Sequence, residues 1–163
     1  MNIETLQKYV FEISEFKDQR KELKEFCKNI KLYYGINNRD YDCPMLELAL
    51  RNGSNLDLYN LSKKLVGVKE DEDESLSKHK VYTRLPHIDL SLVNSYNYGG
   101  AKASNLKKLA FNYRKYDVYD MPIDFDKPVT QAKTKAFEKY CLKDVDDTYT
   151  IYLDSIEKLE IRR

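Results

Sequence analysis

Tyr140-Cys-Leu-Lys-Asp144 sets a phenol and a carboxylate four residues apart in an amphipathic stretch that runs to Arg163. On a helix, positions i and i+4 share a face, so the two groups point the same way. That pairing suits phosphodiester hydrolysis, in which a carboxylate holds a hard metal ion and a phenol orients the attacking water. The spacing is common among helices, so its weight depends on carboxylates upstream. Asp42, in Gly35-Ile-Asn-Asn-Arg-Asp-Tyr-Asp42-Cys-Pro44, is the first such candidate. A strand that ends in Asn37-Asn38 and then enters a helix brings its last polar side chains to the sheet edge, where α/β proteins place their sites. The same residues also suit a plain strand–helix turn, with Asn37 or Asn38 satisfying backbone donors.

The elements that must position these groups read as alternating strands and helices. Residues 9–16 alternate apolar and polar as a half-buried strand does. Residues 18–28 follow with Leu23, Phe26 and Cys27 at helical spacing, and 31–36 form a short apolar strand closed by a polar cluster. Pro44 fits the first turn of a helix that stops at Gly53. Residues 56–68 give another amphipathic helix, with Leu58, Leu61 and Leu65 on one side. The acidic run 69–75 reads as a solvated loop, and 80–90 as a strand broken near Pro86. Ser104 caps a helix to about Tyr113, with Leu106, Leu109 and Ala110 inward and Lys107 and Lys108 outward. A turn-rich stretch, 117–129, leads to Thr130, which caps the terminal helical region. The pattern favours an α/β fold in a single domain over 1–163.

Bulk properties set the frame. A chain of 163 residues can bury a real core as one domain. The 28 Lys and Arg nearly balance the 27 Asp and Glu, so no overall electrostatic footprint announces nucleic acid. A carboxylate-rich metal site would itself cancel basic residues elsewhere. Cys27, Cys43 and Cys141 are widely spaced without a metal-ligand pattern, which points to a reduced, cytoplasmic setting. No apolar run is long enough to cross a membrane, and no signal-peptide pattern is present. His79 and His87 read as structural or surface groups, and Asp89 as a capping or core-edge residue. Asp146 and Asp147 are expected on other, solvated faces of the terminal helix. Lys102, Lys107 and Lys108 serve either as phosphate contacts or as an ordinary exposed face.

Two of these segments resemble motifs of one family. Asn-Asn-Arg-Asp-Tyr-Asp42 is similar to the second exonuclease motif of DEDD-superfamily 3′–5′ exonucleases, and Tyr140-Cys-Leu-Lys-Asp144 to the third motif of their tyrosine branch. The order of His87-Ile-Asp-Leu, the Ser104-Asn-Leu-Lys-Lys-Leu-Ala helix and Met121-Pro-Ile-Asp-Phe-Asp-Lys-Pro resembles that of proofreading domains in phage-type DNA polymerases, over residues 9–163. The resemblance implies a ribonuclease H-like mixed sheet flanked by helices, and two Mg²⁺ or Mn²⁺ ions as cofactor. It makes Asp42 and Asp144 metal ligands, gives Tyr140 the orientation of the water, and gives Asn37 or Asn38 the positioning of the substrate end. Two ions about 4 Å apart would stabilise the attacking and leaving oxygens of an in-line displacement. The implied substrate is the 3′ end of single-stranded or frayed DNA, with the terminal base stacked on apolar or aromatic side chains.

The family's first motif, Asp-x-Glu on the first strand, has one counterpart here, Asn2-Ile-Glu4, which makes Glu4 the third ligand and puts an amide where the family has a carboxylate. A neutral amide oxygen bridges two cations poorly. Only Met1 precedes it, so the first strand is expected to be shortened or missing. Three accounts fit: a split subunit or fragment whose first strand comes from another chain, an Asp-to-Asn inactivation, or a chance match in a degenerate domain. The resemblance thus yields an exonuclease of the proofreading type, or a catalytically inactive exonuclease-like module that binds DNA or a polymerase partner. A generic α/β domain with coincidental motifs stands third.

Overall fold

The computed structural model describes residues 1–67, 84–94, 106–112, 121–124, 127 and 129–161. The expectations placed on the acidic run 69–75, on residues 80–83, and on His79, Lys102, Ser104, Tyr113 and 117–120 lie outside the described residues. The chain forms two compact units, one of Phe11–Asp89 and one of Met1–Val10 with Leu90–Arg163. Among the described residues no helix is long and apolar enough to cross a membrane.

The Phe11–Asp89 unit runs α1 (Arg20–Cys27), β1 (Tyr33–Gly35), α2 (Asp42–Leu50), α3 (Asn55–Gly67) and β2 (His87–Asp89). β1 and β2 pair in parallel, with Tyr33 opposite His87, Tyr34 opposite Ile88 and Gly35 opposite Asp89. Tyr33 N–H donates to the Pro86 carbonyl at 2.9 Å, so the first β2 contact falls just after the residue that has no donor of its own. α1 turns Phe26 onto Phe11, with ring centroids 5.2 Å apart. The Arg20 guanidinium reaches the Gly53 carbonyl and the Asn55 side chain, each at 2.9 Å, which ties α1 to the loop between α2 and α3.

Local chemistry sets the helix ends. Ser54 and Asp57 exchange bonds across the start of α3, Ser54 Oγ accepting the Asp57 N–H at 3.1 Å and Asp57 Oδ2 accepting the Ser54 N–H at 2.8 Å. That reciprocal box satisfies two donors the helix start would leave open. At the end of α2, Asn52 takes a left-handed φ of 64° and Gly53 N–H returns to the Leu48 carbonyl at 2.9 Å. A Cβ on Gly53 would stand 2.6 Å from Leu48 Cγ, so the close return requires glycine.

The strand expected over 9–16 is not formed. Ser14 Oγ accepts the N–H groups of Phe16 at 3.0 Å and Lys17 at 3.1 Å, and Ser14 N–H donates to the Lys17 carbonyl at 2.8 Å. A hydroxyl that closes its own turn competes with a ladder, and only a single bridge, Ile13 to Asp18, remains.

The other unit is helical: α4 (Leu90–Asn94), α5 (Leu106–Asn112) and α6 (Gln131–Ile161). α4 and α5 both pack on α6. The stripe Asp147, Ile151 and Ser155 is the buried face of α6, with Ile151 fully enclosed. Leu90 from α4 and Leu109 and Ala110 from α5 complete that core. Asn94 donates to Ser155 Oγ at 2.8 Å and accepts from Lys158 Nζ at 2.6 Å, so the polar members of the stripe are paired. Lys8 reaches Asp146 at 2.6 Å and holds the N-terminal segment on α6.

Candidate functional site

The carboxyl ends of β1 and β2 meet at Gly35 and Asp89. Beyond Gly35 the chain turns at Asn37, whose φ of 58° lies in the left-handed region that asparagine tolerates better than most residues. Asp89, 7% exposed, accepts the Asn37 N–H at 2.9 Å and the Arg39 N–H at 3.4 Å, and so caps the loop entering α2. Asn38, 4% exposed, donates its amide to the Ile88 carbonyl at 3.3 Å. A Cβ on Gly35 would come within 2.7 Å of Asn38 Cβ, so the glycine makes room for this side chain. The Asn38 carbonyl oxygen is buried and has no hydrogen-bond partner among the described residues. Such an acceptor typically costs about 1–3 kcal/mol.

Asp42 is the first residue of α2 and is exposed, a placement that a helix N-terminus favours for a carboxylate. Next to it the Cys43 thiol is pushed up to about 11, chiefly by burial and further by the carboxylates of Asp42, Asp89 and Glu47. Cys43 is therefore a neutral thiol at physiological pH, unsuited to nucleophilic work. The Tyr33 hydroxyl is raised above its ordinary value, first by burial and then by the thiols of Cys27 and Cys43.

In the other unit, the first half of α6 carries Tyr140 and Asp144 one turn apart. The Tyr140 hydroxyl donates a hydrogen bond to the half-buried Asp144 carboxylate. Burial raises the Asp144 carboxyl above the ordinary carboxylate range, and the neighbouring Asp147 charge adds to the shift. The Tyr140 hydrogen bond and the ammonium groups of Lys107 and Lys143 oppose it. Asp147 is not on a solvated face: it is 7% exposed and pairs with Lys143 at 2.8 Å. Three residues is nearly one turn, so Asp147 returns to the face of Asp144 and is covered with it. Phe137 stacks on Tyr140, with centroids 6.4 Å apart and planes 11° from parallel.

Glu4 is exposed, in a turn rather than a strand. Asn2 Oδ1 accepts the N–H groups of Glu4 at 2.8 Å and Thr5 at 3.1 Å, which closes that turn. Of the residues singled out by sequence, Asn37, Asn38 and Asp42 gather at the ends of the parallel strands, and Tyr140 and Asp144 share one turn of α6. Asn37, Asn38 and Asp42 belong to the Phe11–Asp89 unit, and Glu4, Tyr140 and Asp144 to the other. Among the described residues no group of three or more His, Cys, Asp and Glu side chains is gathered to hold a metal ion. The donor chemistry at Asp144 nevertheless suits a hard cation. It is an oxygen ligand beside a second carboxylate, and its ionised form is disfavoured until further positive charge arrives.

One functional feature was absent from the sequence reading. Lys133, Lys135 and Lys139, on the turns of α6 before Tyr140, are all exposed. Their spacing was visible in the chain, but only a helix beginning at Gln131 gathers them on its first turns. No family model, no curated protein and no solved structure matches the chain.

Proposed function

We propose that this chain is a 3′–5′ exonuclease-like domain of the tyrosine branch of the DEDD superfamily, acting on the 3′ end of single-stranded or frayed DNA. The observation that carries the reading is the hydrogen bond from Tyr140 to a half-buried Asp144 of raised pKa on one turn of α6. Asn37, Asn38 and Asp42, beyond the carboxyl end of a strand in a parallel pair, support it, since open α/β sheets bind ligands at such ends. In this reading the fold is ribonuclease H-like, and Asp42, Asp144 and Glu4 hold two Mg²⁺ or Mn²⁺ ions. Ions held there supply the charge that stabilises the attacking and leaving oxygens. The Tyr140 phenol orients the water whose oxygen bonds to phosphorus as the bond to the preceding nucleotide's 3′ oxygen breaks. Loop 37–38 positions the terminal nucleotide. The setting is cytoplasmic, in replication beside a polymerase subunit, a phage-infected bacterium included.

A second reading has its own support in the Asn2 turn. With its amide oxygen committed to two backbone N–H groups, Asn2 is a poor substitute for a metal-bridging carboxylate. The chain is then an inactive exonuclease-like module that binds DNA or a polymerase partner, or one completed by a strand from another chain. The deciding assay is release of 3′ nucleotides from end-labelled single-stranded DNA with Mg²⁺ or Mn²⁺. The enzymatic reading expects release by the wild-type chain and loss of it in Asp144→Ala. Equal inactivity of the two removes catalysis from the isolated chain and leaves the binding module.

A further inference from the structure

The opening turns of α6 carry charge the fold does not use. The helix has no acidic residue in its first turn. Instead Lys133, Lys135 and Lys139 stand exposed there, with Glu138 as the single carboxylate among them. None of the three lysines makes an ion pair or a side-chain hydrogen bond with a described residue, whereas Lys143, one turn on, is paired with Asp147. Cations near a helix N-terminus oppose the helix dipole, so this arrangement works against the stability of α6. A chain that keeps such a conflict commonly does so for a ligand.

The geometry of these turns defines the ligand. Positions 133, 137, 140 and 144 recur at helical spacing on one face, so Lys133 leads the row that continues through Phe137 and Tyr140 to Asp144. Lys135, Lys139 and Lys143 recur at intervals of four and form a flanking row. Between the rows lie the near-parallel rings of Phe137 and Tyr140, both part-exposed. Unpaired ammonium groups suit phosphates, and flat, part-open rings suit unstacked bases.

We propose that the Lys133–Lys139 turns of α6 are a contact surface for single-stranded nucleic acid, with the lysines on the phosphates and Phe137 as a base-stacking platform leading to Tyr140. An acidic polypeptide would meet the charges and leave the rings unused. The inference rests on the nucleic-acid reading above for its class of partner and does not require catalysis.

The test is fluorescence anisotropy of a labelled oligo(dT) with the full chain in EDTA, titrated over salt, so that no hydrolysis intervenes. Replacing Lys133, Lys135 and Lys139 together by Gln is expected to flatten the slope of log K against log salt by about 2, at about 0.7 per phosphate contact on a single strand. Phe137→Ala is expected to weaken binding about tenfold with the slope unchanged. Gln at the exposed Lys17, Lys21 and Lys31 of the other unit is the control and should leave both quantities as in wild type. The thermal melt of each variant reports its folding, and exposed side chains should leave it intact. No binding by the wild-type chain, an unchanged slope in the triple variant, or equal displacement by poly-L-glutamate overturns the proposal. Lysine- and Phe137-dependent binding by a chain that releases no nucleotide upholds the surface and sinks the enzyme. Nucleotide release with undiminished binding by the triple variant does the reverse.

Discussion

The loop after β1 and the first half of α6 carry the two most suggestive segments of the chain, and their physical states are opposite. In the loop nearly every polar group has a structural partner: Asp89 takes the N–H groups of Asn37 and Arg39, and Asn38 takes the Ile88 carbonyl. On α6, Asp144 is raised by burial and by Asp147, and three lysines stand without ion-pair partners among the described residues. A polar cluster that the fold consumes says little about function, because folding alone accounts for it. A cluster the fold leaves in conflict is the better functional signal.

That contrast is open to attack, most heavily at Asp89. Asp89→Ala strips the acceptor from the Asn37 and Arg39 N–H groups and should destabilise the Phe11–Asp89 unit by about 3 kcal/mol, read from the urea midpoint at constant m. A loss below about 0.5 kcal/mol would mean the loop is not held as described. Gly35→Ala comes next: its Cβ would lie 2.7 Å from Asn38 Cβ, and overpacking of that kind costs about 1–3 kcal/mol.

Asp144→Asn should act in the opposite direction. Because the folded-state carboxyl lies above its ordinary value, the ionised group opposes folding at neutral pH and is neutral to it once both states are protonated. The variant should therefore melt higher than wild type at pH 7, with the gain fading as pH falls below about 4. An equal or lower melting temperature at pH 7 would show that Tyr140, Lys107 and Lys143 outweigh burial and Asp147. The smallest effect is expected at Asp42. It is exposed at the start of α2, so Asp42→Ala should shift stability by no more than about 0.5 kcal/mol. Near-silence in stability together with loss of nucleotide release would separate Asp42 from Asp89 as functional and structural aspartates.

Much of the local structure was legible. Leu23, Phe26 and Cys27 marked α1, the Tyr33–Gly35 strand stood out as an apolar run before polar residues, and Pro44 and Thr130 marked helix starts. These features follow from side-chain periodicity and from the chemistry of a few punctuating residues, which the chain carries locally. Residues 9–16 misled because alternation is only a pattern, and a serine able to close its own turn removed the ladder. Asp147 misled through the arithmetic of a long helix, where three residues nearly complete a turn and bring a carboxylate back to the covered face. Asp89 could be suspected of capping, but the loop it caps lies some fifty residues upstream, and only the parallel pairing of β1 with β2 joins them.

The sequence by itself determined which residues can share a helix face: Tyr140 with Asp144, and Lys133 with Phe137. Spacing along a helix needs no further contacts to define it. Tertiary structure alone decided how each charge is solvated and paired. Burial beside Asp147 and Lys107 raises Asp144, pairing with Lys143 occupies Asp147, and exposure leaves Lys133, Lys135 and Lys139 open. Desolvation and Coulomb energy depend on neighbours brought in from other elements, and no linear pattern encodes those.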